Sequence, residues 1–182
     1  DLSEGMNLIT GEGHHGRHHT GIDPHVWLSP ENAKIISKNI LKAMLLQFPE
    51  KSDLLNENYR LFIDRIDSLD TYISQVLEGL ENRSFMSYHP SLTYFARDYN
   101  LHQHPLELEG KPPSPAYLKY LADLGKKEGI NVIFLQMQFD QHDAEVLARE
   151  IGAKVININP LDPEWYDQMV FITNILKAEA DE

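Results

Sequence analysis

The feature that most constrains the fold is an alternation of short apolar runs with amphipathic stretches across residues 83–178. The apolar runs predict strands at 84–88, 132–135 and 154–158 and a weaker strand at 101–108, with helices between them at 91–99, 115–129 and 141–151. A last helix is expected from Asp162-Pro163 to about residue 178. Strand–helix alternation implies a parallel sheet with right-handed crossovers, so the predicted fold class is α/β, with about four parallel strands flanked by helices.

Two helices are predicted before this alternating region. Ser29-Pro30 has the serine N-cap and first-turn proline of a helix start, and the helix extends to about residue 48, where Pro49 ends it. The next helix, at 51–80, has apolar residues spaced alternately four and three apart, which gives one continuous apolar face that we expect to be core. It would be about 45 Å long at 1.5 Å per residue. Because one small domain does not need such a helix, we expect a rigid spine beside something larger.

Length and charge exclude several classes of protein. A chain of 182 residues suits one domain with a stable core, and a formal net charge of −12 argues against DNA or any other nucleic acid as a partner. No run approaches the ~18 apolar residues of a membrane-spanning helix. The absence of cysteine excludes disulfides and thiolate zinc sites. The first residues have neither an initiator Met nor a signal peptide's apolar segment, so we expect a mature or truncated piece.

The nine histidines are concentrated near the start of the chain. His14, His15, His18 and His19 lie within six positions and are flanked by glycines, in a segment (1–22) with little periodicity that predicts a mobile loop. Neutral imidazole is the commonest protein ligand for first-row transition metals. We interpret this tract as an adaptable, weaker metal-sampling site; the alternative is a purification tag or a solvated linker.

Polar side chains follow three of the predicted strands. They are His89, then Gln136 and Gln138, then Asn159. Ligands of open parallel sheets bind beyond the carboxyl ends of the strands, so these residues are expected at one edge. His89 is the strongest metal-ligand candidate because it lies between a strand and a Pro-started helix. The alternative is a histidine that only caps the helix or makes a hydrogen bond.

A second isolated histidine, His25, lies just before the Ser29-Pro30 helix start. We predict that it is also a metal ligand and that the Asp23 carboxylate orients its imidazole, as carboxylates often do for ligating histidines. The alternative is that this stretch is only a turn. His102 and His104 are two apart on a predicted strand and therefore share one face. We expect this face to be a solvated edge of the sheet; the alternative is a bidentate surface metal site. His142 is expected to be exposed.

Enzyme signatures are absent from the sequence. It has no His-Glu-x-x-His, no Gly-x-Ser-x-Gly, no Gly-x-Gly-x-x-Gly and no phosphate-binding Gly-rich loop. The acidic residues are scattered over predicted helix surfaces and suggest no catalytic pair. The sequence therefore favours a binding protein over an enzyme.

Taken together, these motifs resemble the solute-binding proteins of zinc and manganese ABC transporters, in particular the zinc branch of that family. The resemblance covers nearly the whole chain through five segments in the same order: 23–30, 88–96, 109–114, 136–139 and 159–161. It implies that His25 and His89 are the second and third metal ligands. A His-rich loop before the first segment is typical of the zinc branch.

The resemblance also implies an architecture of two Rossmann-like lobes joined by one long helix, with the metal held between them. On that pattern, residues 1–22 are the His-rich loop, 23–80 the tail of the first lobe with the long helix, and 81–182 the carboxy-terminal metal-binding lobe. Most of the first lobe, with the first histidine ligand, would precede this sequence.

The expected metal is Zn²⁺ rather than Mn²⁺. Manganese-type relatives tend to place Glu at the position of His89, and imidazole suits zinc better than manganese. Many relatives place an Asp ligand at Asn159, whose amide is a poorer zinc ligand, so the fourth ligand would be water or this weak group.

The function implied by the resemblance is high-affinity capture of Zn²⁺ outside the cytoplasm and its delivery to the membrane permease of an ABC transporter. The protein would be periplasmic, or extracellular and membrane-anchored, and monomeric when intact. Two alternatives remain at this stage. Three histidines and a water are also the ligands of a zinc-dependent hydrolase or hydratase, and the same fold could serve a metal-stabilised adhesin.

Overall fold

The computed structural model describes residues 1–12, 18–108 and 110–180, and it describes only the backbone of residues 11, 12 and 18–20. The chain forms two compact units, Asp1–Ser74 and Gln75–Glu182. No helix in the described ranges combines the length and hydropathy that a membrane span requires.

The first unit begins with a two-stranded antiparallel sheet formed by β1 (Thr10–Glu12) and β2 (His18–Ile22). Thr10 pairs with Ile22, and Glu12 pairs with His18. Residues 1–22 were expected to form a loop, so the sequence reading was wrong about these strands. The physical reason is that two short antiparallel strands are held by backbone hydrogen bonds, which need no apolar periodicity in the sequence.

Helix α1 (Pro30–Gln47) begins where the sequence predicts. The Ser29 hydroxyl accepts a hydrogen bond from the Asn32 N–H at 3.0 Å, and Pro30 occupies the first helical turn. A short 3₁₀ turn (Pro49–Lys51) follows. In the same unit, Lys34 of α1 makes salt bridges to Asp67 at 2.8 Å and Asp70 at 3.0 Å.

Helix α2 (Ser52–Leu77) is the long predicted helix, three residues shorter at its end than expected. Its apolar face is core only in part, which corrects the expectation of a fully buried face. Ile66, Leu69 and Ile73 are buried, whereas Phe62 is 43 % exposed. A periodic pattern indicates which face of a helix is apolar, but it contains no information on how far a packing partner extends along that face.

The second unit contains a four-stranded parallel sheet in the order β4-β3-β5-β6. The strands are β3 (Ser84–Ser87), β4 (His102–Pro105), β5 (Val132–Gln136) and β6 (Lys154–Ile158). The helices are α3 (Thr93–Asp98), α4 (Pro115–Glu128), α5 (His142–Ile151) and α6 (Trp165–Ala180). The predicted fold class, with four parallel strands flanked by helices and preceded by a long helix, is confirmed.

Local signals explain most helix ends in this unit. The Ser114 hydroxyl accepts a hydrogen bond from the Tyr117 N–H at 3.3 Å, as expected of an N-cap. Gly129 and Gly152 follow α4 and α5 with φ of 64° and 78°, the left-handed backbone that glycine adopts most easily. Helix α6 starts three residues after Asp162, because the Asp162 carboxylate accepts from the Glu164 N–H and forms a turn before the helix.

The core of the second unit lies on the sheet. All five residues of β5 are buried, as expected of a central parallel strand. Phe134 of β5 meets Phe85 of β3 edge to face, with ring centroids 5.6 Å apart. The two strands pair at Met86–Ile133 and Ser87–Phe134, and β5 continues two residues beyond the end of β3 at the carboxyl edge of the sheet.

Candidate metal centre

His89 lies two residues beyond the end of β3, at the carboxyl edge of the sheet. The side-chain amide of Gln136, the last residue of β5, holds its backbone. The Gln136 oxygen accepts from the His89 N–H at 3.1 Å, and the Gln136 nitrogen donates to the His89 carbonyl at 2.8 Å. That nitrogen also donates to the Ser91 hydroxyl at 2.9 Å. Gln136 is fully buried, so its amide acts as a structural link across the edge.

Glu107 contacts the His89 ring and is the residue that the sequence reading missed. Its carboxylate lies 2.5 Å from His89 Nδ1 and is only 6 % exposed, whereas the His89 side chain is 29 % exposed. A carboxylate on Nδ1 leaves metal binding to Nε2. The available signal was a charged residue between Leu106 and Leu108, near the end of the predicted strand 101–108, but it did not indicate a partner.

Aromatic rings and acidic groups surround His89. The Phe139 ring stacks on His89 at 5.6 Å and on Tyr88 at 5.0 Å. Burial raises the pKa of the Tyr88 hydroxyl, and the charges of Asp143, Glu107 and Asp140 raise it further. Several carboxylates therefore act on this edge, and a negative potential favours a cation there.

His25, in the first unit, is held in a similar way. Asp23 Oδ1 accepts a hydrogen bond from the His25 backbone N–H at 2.9 Å and lies 2.8 Å from His25 Nδ1. Both side chains are about 15 % exposed. The contact between Asp23 and His25 that the sequence predicts is therefore present. As at His89, the carboxylate contacts Nδ1 of the ring.

The Asn159 side chain is used within its own loop. Its oxygen accepts from the Leu161 N–H at 3.2 Å, and its nitrogen donates to Asp162 at 3.4 Å. Its backbone N–H donates to the Gln168 side chain. These bonds favour a loop-stabilising role for Asn159, and a metal-ligand role would require the Leu161 bond to be shared or broken.

The other histidines have different surroundings. His104 Nε2 lies 2.9 Å from the Glu128 carboxylate, whereas His102 and His142 are exposed. Burial raises the pKa of Glu128, but the hydrogen bonds from Ser84 and His104 and the charge of His104 outweigh it and lower that pKa. The contact of His104 with Glu128 therefore links β4 to α4.

The structure describes only part of the His-rich tract. His14 and His15 lie outside the described residues, and for His18 and His19 the backbone of β2 is described but not the side chains. Across the described ranges, no group of three or more His, Asp or Glu side chains converges as a ready-made metal site. In the described ranges, His25 contacts the Asp23 carboxylate and His89 contacts the Glu107 carboxylate.

The fold and the position of His89 define a class: an α/β protein whose ligand-capable residues lie beyond the carboxyl ends of parallel strands. Comparison with known proteins narrows this class. The model of the family described as "ZnuA: Zinc-uptake complex component A periplasmic" matches residues 1–178. The chain therefore belongs to this zinc-uptake family, which confirms the resemblance inferred from the sequence motifs.

Individual relatives agree with this assignment. The chain is similar to the zinc-binding lipoprotein AdcA of Streptococcus pneumoniae (strain ATCC BAA-255 / R6), with 32 % identity over 158 residues, 84 % of this chain and 31 % of AdcA. It is 31 % identical to the high-affinity zinc uptake system protein ZnuA of Bacillus subtilis (strain 168) over 165 residues, 88 % of this chain and 52 % of that protein.

The fold is likewise similar to a crystal structure of ZnuA. The TM-score is 0.92 at 33 % identity, over 99 % of this chain and 68 % of the other. The chain spans about a third of the length of AdcA and about half that of the Bacillus subtilis protein.

Proposed function

We propose that this chain is a metal-binding part of the solute-binding component of an ABC zinc transporter. The observation that carries the proposal is the pairing of His89 at the carboxyl edge of the sheet with the buried Glu107 carboxylate. A carboxylate on one ring nitrogen is the common arrangement around zinc-ligating histidines. The relatives are described as zinc-binding or zinc-uptake proteins, and their names support zinc as the cargo.

In this proposal, His25 and His89 are the metal ligands of the chain, and each offers a neutral imidazole to Zn²⁺. Imidazole suits zinc, while carboxylate and water suit manganese, so this pair favours Zn²⁺ over Mn²⁺. Asn159 holds its loop, and water completes the coordination. His14, His15, His18 and His19 sample the metal with lower affinity. The protein performs no chemical conversion; its work is affinity, selectivity and release.

The same proposal places the protein outside the cytoplasm, periplasmic or anchored to the outer face of a membrane, as a monomer that delivers zinc to the permease. The family description contains the word periplasmic, and one relative is described as a lipoprotein. We assign residues 1–22 to a His-rich segment that includes β1 and β2, 23–80 to the tail of the first lobe with the long helix, and 81–182 to the metal-binding lobe.

Calorimetric titration of Zn²⁺ and Mn²⁺ into the metal-free chain tests the proposal. We expect zinc to bind more tightly than manganese, and we expect His25→Ala/His89→Ala to abolish the tighter zinc phase. His142→Ala is the matched control because it removes an exposed imidazole from the helix surface. Zinc binding that survives in the double variant and disappears when the four tract histidines are replaced would refute the assigned site.

A further inference from the structure

We propose that Glu107 is a positioning residue: its carboxylate holds His89 in the Nδ1–H tautomer and thereby directs Nε2 toward the metal ion. The inference rests on the proposed function, because it assigns Glu107 a role toward zinc bound by His89. Glu107 itself is not proposed as a ligand.

The sheet fixes the relation between the two residues. Beyond the paired strands β3 and β4, the Leu106 N–H donates to the Ser87 carbonyl at 2.8 Å, and the Glu107 N–H donates to the Tyr88 carbonyl at 3.0 Å. The strand ladder therefore continues to the residue just before His89. The two side chains then meet at 2.5 Å across a rigid backbone, so their contact does not depend on a flexible loop.

Two further contacts define the orientation of the ring. Phe139 stacks on its face with an interplanar angle of 21°, and Gln136 holds the His89 backbone on both sides. Glu107 adds the contact at the ring edge. The His89 ring is thus contacted on its face and at its edge, and its main chain is held by hydrogen bonds. Together these contacts give the imidazole one orientation, as a preorganised ligand requires.

The chemistry follows from the charge of the carboxylate. A neutral imidazole has one protonated nitrogen, and a neighbouring carboxylate accepts a hydrogen bond from it. With the proton on Nδ1, the lone pair is on Nε2, and the negative charge makes that lone pair a stronger donor to a metal. Loss of such a partner typically costs about 10–100-fold in metal affinity.

A purely structural role for Glu107 makes a different prediction. Burying a carboxylate costs free energy unless it is hydrogen-bonded, and an apolar residue beside Leu106 would avoid that cost. A structural role alone would change the stability of Glu107 variants without changing the His89 tautomer. The tautomer is therefore the discriminating measurement.

Long-range ¹⁵N–¹H correlation spectra of the histidine rings in the metal-free chain report the tautomer directly, with His89→Ala assigning the signal. We expect His89 to carry its proton on Nδ1 in the wild type and on Nε2 to a large extent in Glu107→Ala. A wild-type His89 with its proton on Nε2 would overturn the proposal. This result does not depend on whether a Glu107 variant folds.

Zinc titrations complete the test. We expect Glu107→Ala to bind zinc about 10–100-fold more weakly, with the isosteric Glu107→Gln between it and the wild type. Glu128→Gln makes the same chemical change at the His104 pair and should leave affinity unchanged. A loss below about threefold in both Glu107 variants would refute the positioning role. If His89→Ala also retains wild-type affinity, the proposed zinc site itself is wrong.

Discussion

The link between Gln136 and the His89 segment gives the most quantitative prediction. Gln136→Met keeps the length and most of the volume of the side chain but removes three hydrogen bonds, two to the His89 backbone and one to the buried Ser91 hydroxyl. Each bond contributes about 0.5–1.5 kcal/mol net, and a buried group left unpaired costs about 1–3 kcal/mol. Because His89 is partly exposed, water will replace some of these bonds, so we expect a loss of about 2–4 kcal/mol.

Urea unfolding followed by circular dichroism measures this loss. With a denaturant slope of about 2 kcal/mol per molar, the midpoint should fall by about 1–2 M. Zinc affinity should fall as well, because the main chain of His89 is no longer anchored. Gln138→Met is the matched control, since Gln138 is exposed on the same loop. Equal midpoints for the two variants, or a Gln136→Met midpoint within about 0.3 M of wild type, would refute this account of the edge.

Three other predictions can be tested on the same chain. Gly129→Ala should destabilise it by about 1–2 kcal/mol in urea unfolding, because φ is 64° there; Gly21→Ala, with no positive φ, is the control. The lowered pKa of Glu128 means that its ion pair stabilises the fold above the ordinary value of 4.5 and that this contribution is lost as pH falls through the folded pKa. Wild type should therefore lose more stability than Glu128→Gln between neutral pH and pH 4, and parallel pH profiles would contradict the assignment. Chelation with EDTA should leave the far-ultraviolet circular dichroism of the α/β unit unchanged, whereas a large loss of helical signal would indicate a metal-stabilised fold.

Local signals account for the part of the fold that sequence predicts well. Ser29-Pro30 and Ser114-Pro115 specify helix starts through hydrogen bonds that span three residues, so the chain needs no distant partner to form them. Strands β3, β5 and β6 of the second unit contain short apolar runs, whereas β4 is polar, and all four predicted strands are present. The pairing of β1 with β2 and the exposure of Phe62 on α2 were missed because backbone pairing and the extent of packing leave no periodic pattern.

The contacts of the candidate site are likewise of two kinds, those between near neighbours in the sequence and those that depend on strand pairing. Asp23 and His25 are two residues apart, and their contact could be predicted from a local turn. Glu107 and His89 are 18 residues apart, and their contact depends on the parallel register of β3 and β4. Nothing in the residues around Glu107 indicates which neighbour it will meet.

The sequence by itself therefore determined the helix starts, the α/β class, the candidate histidines and the family. Only the tertiary structure decided the strand order, the link from Gln136 to His89 and the carboxylate partner of the His89 ring. The physical reason is range: caps and turns depend on hydrogen bonds between near neighbours, whereas the site depends on strands that pair across the sheet after long crossovers.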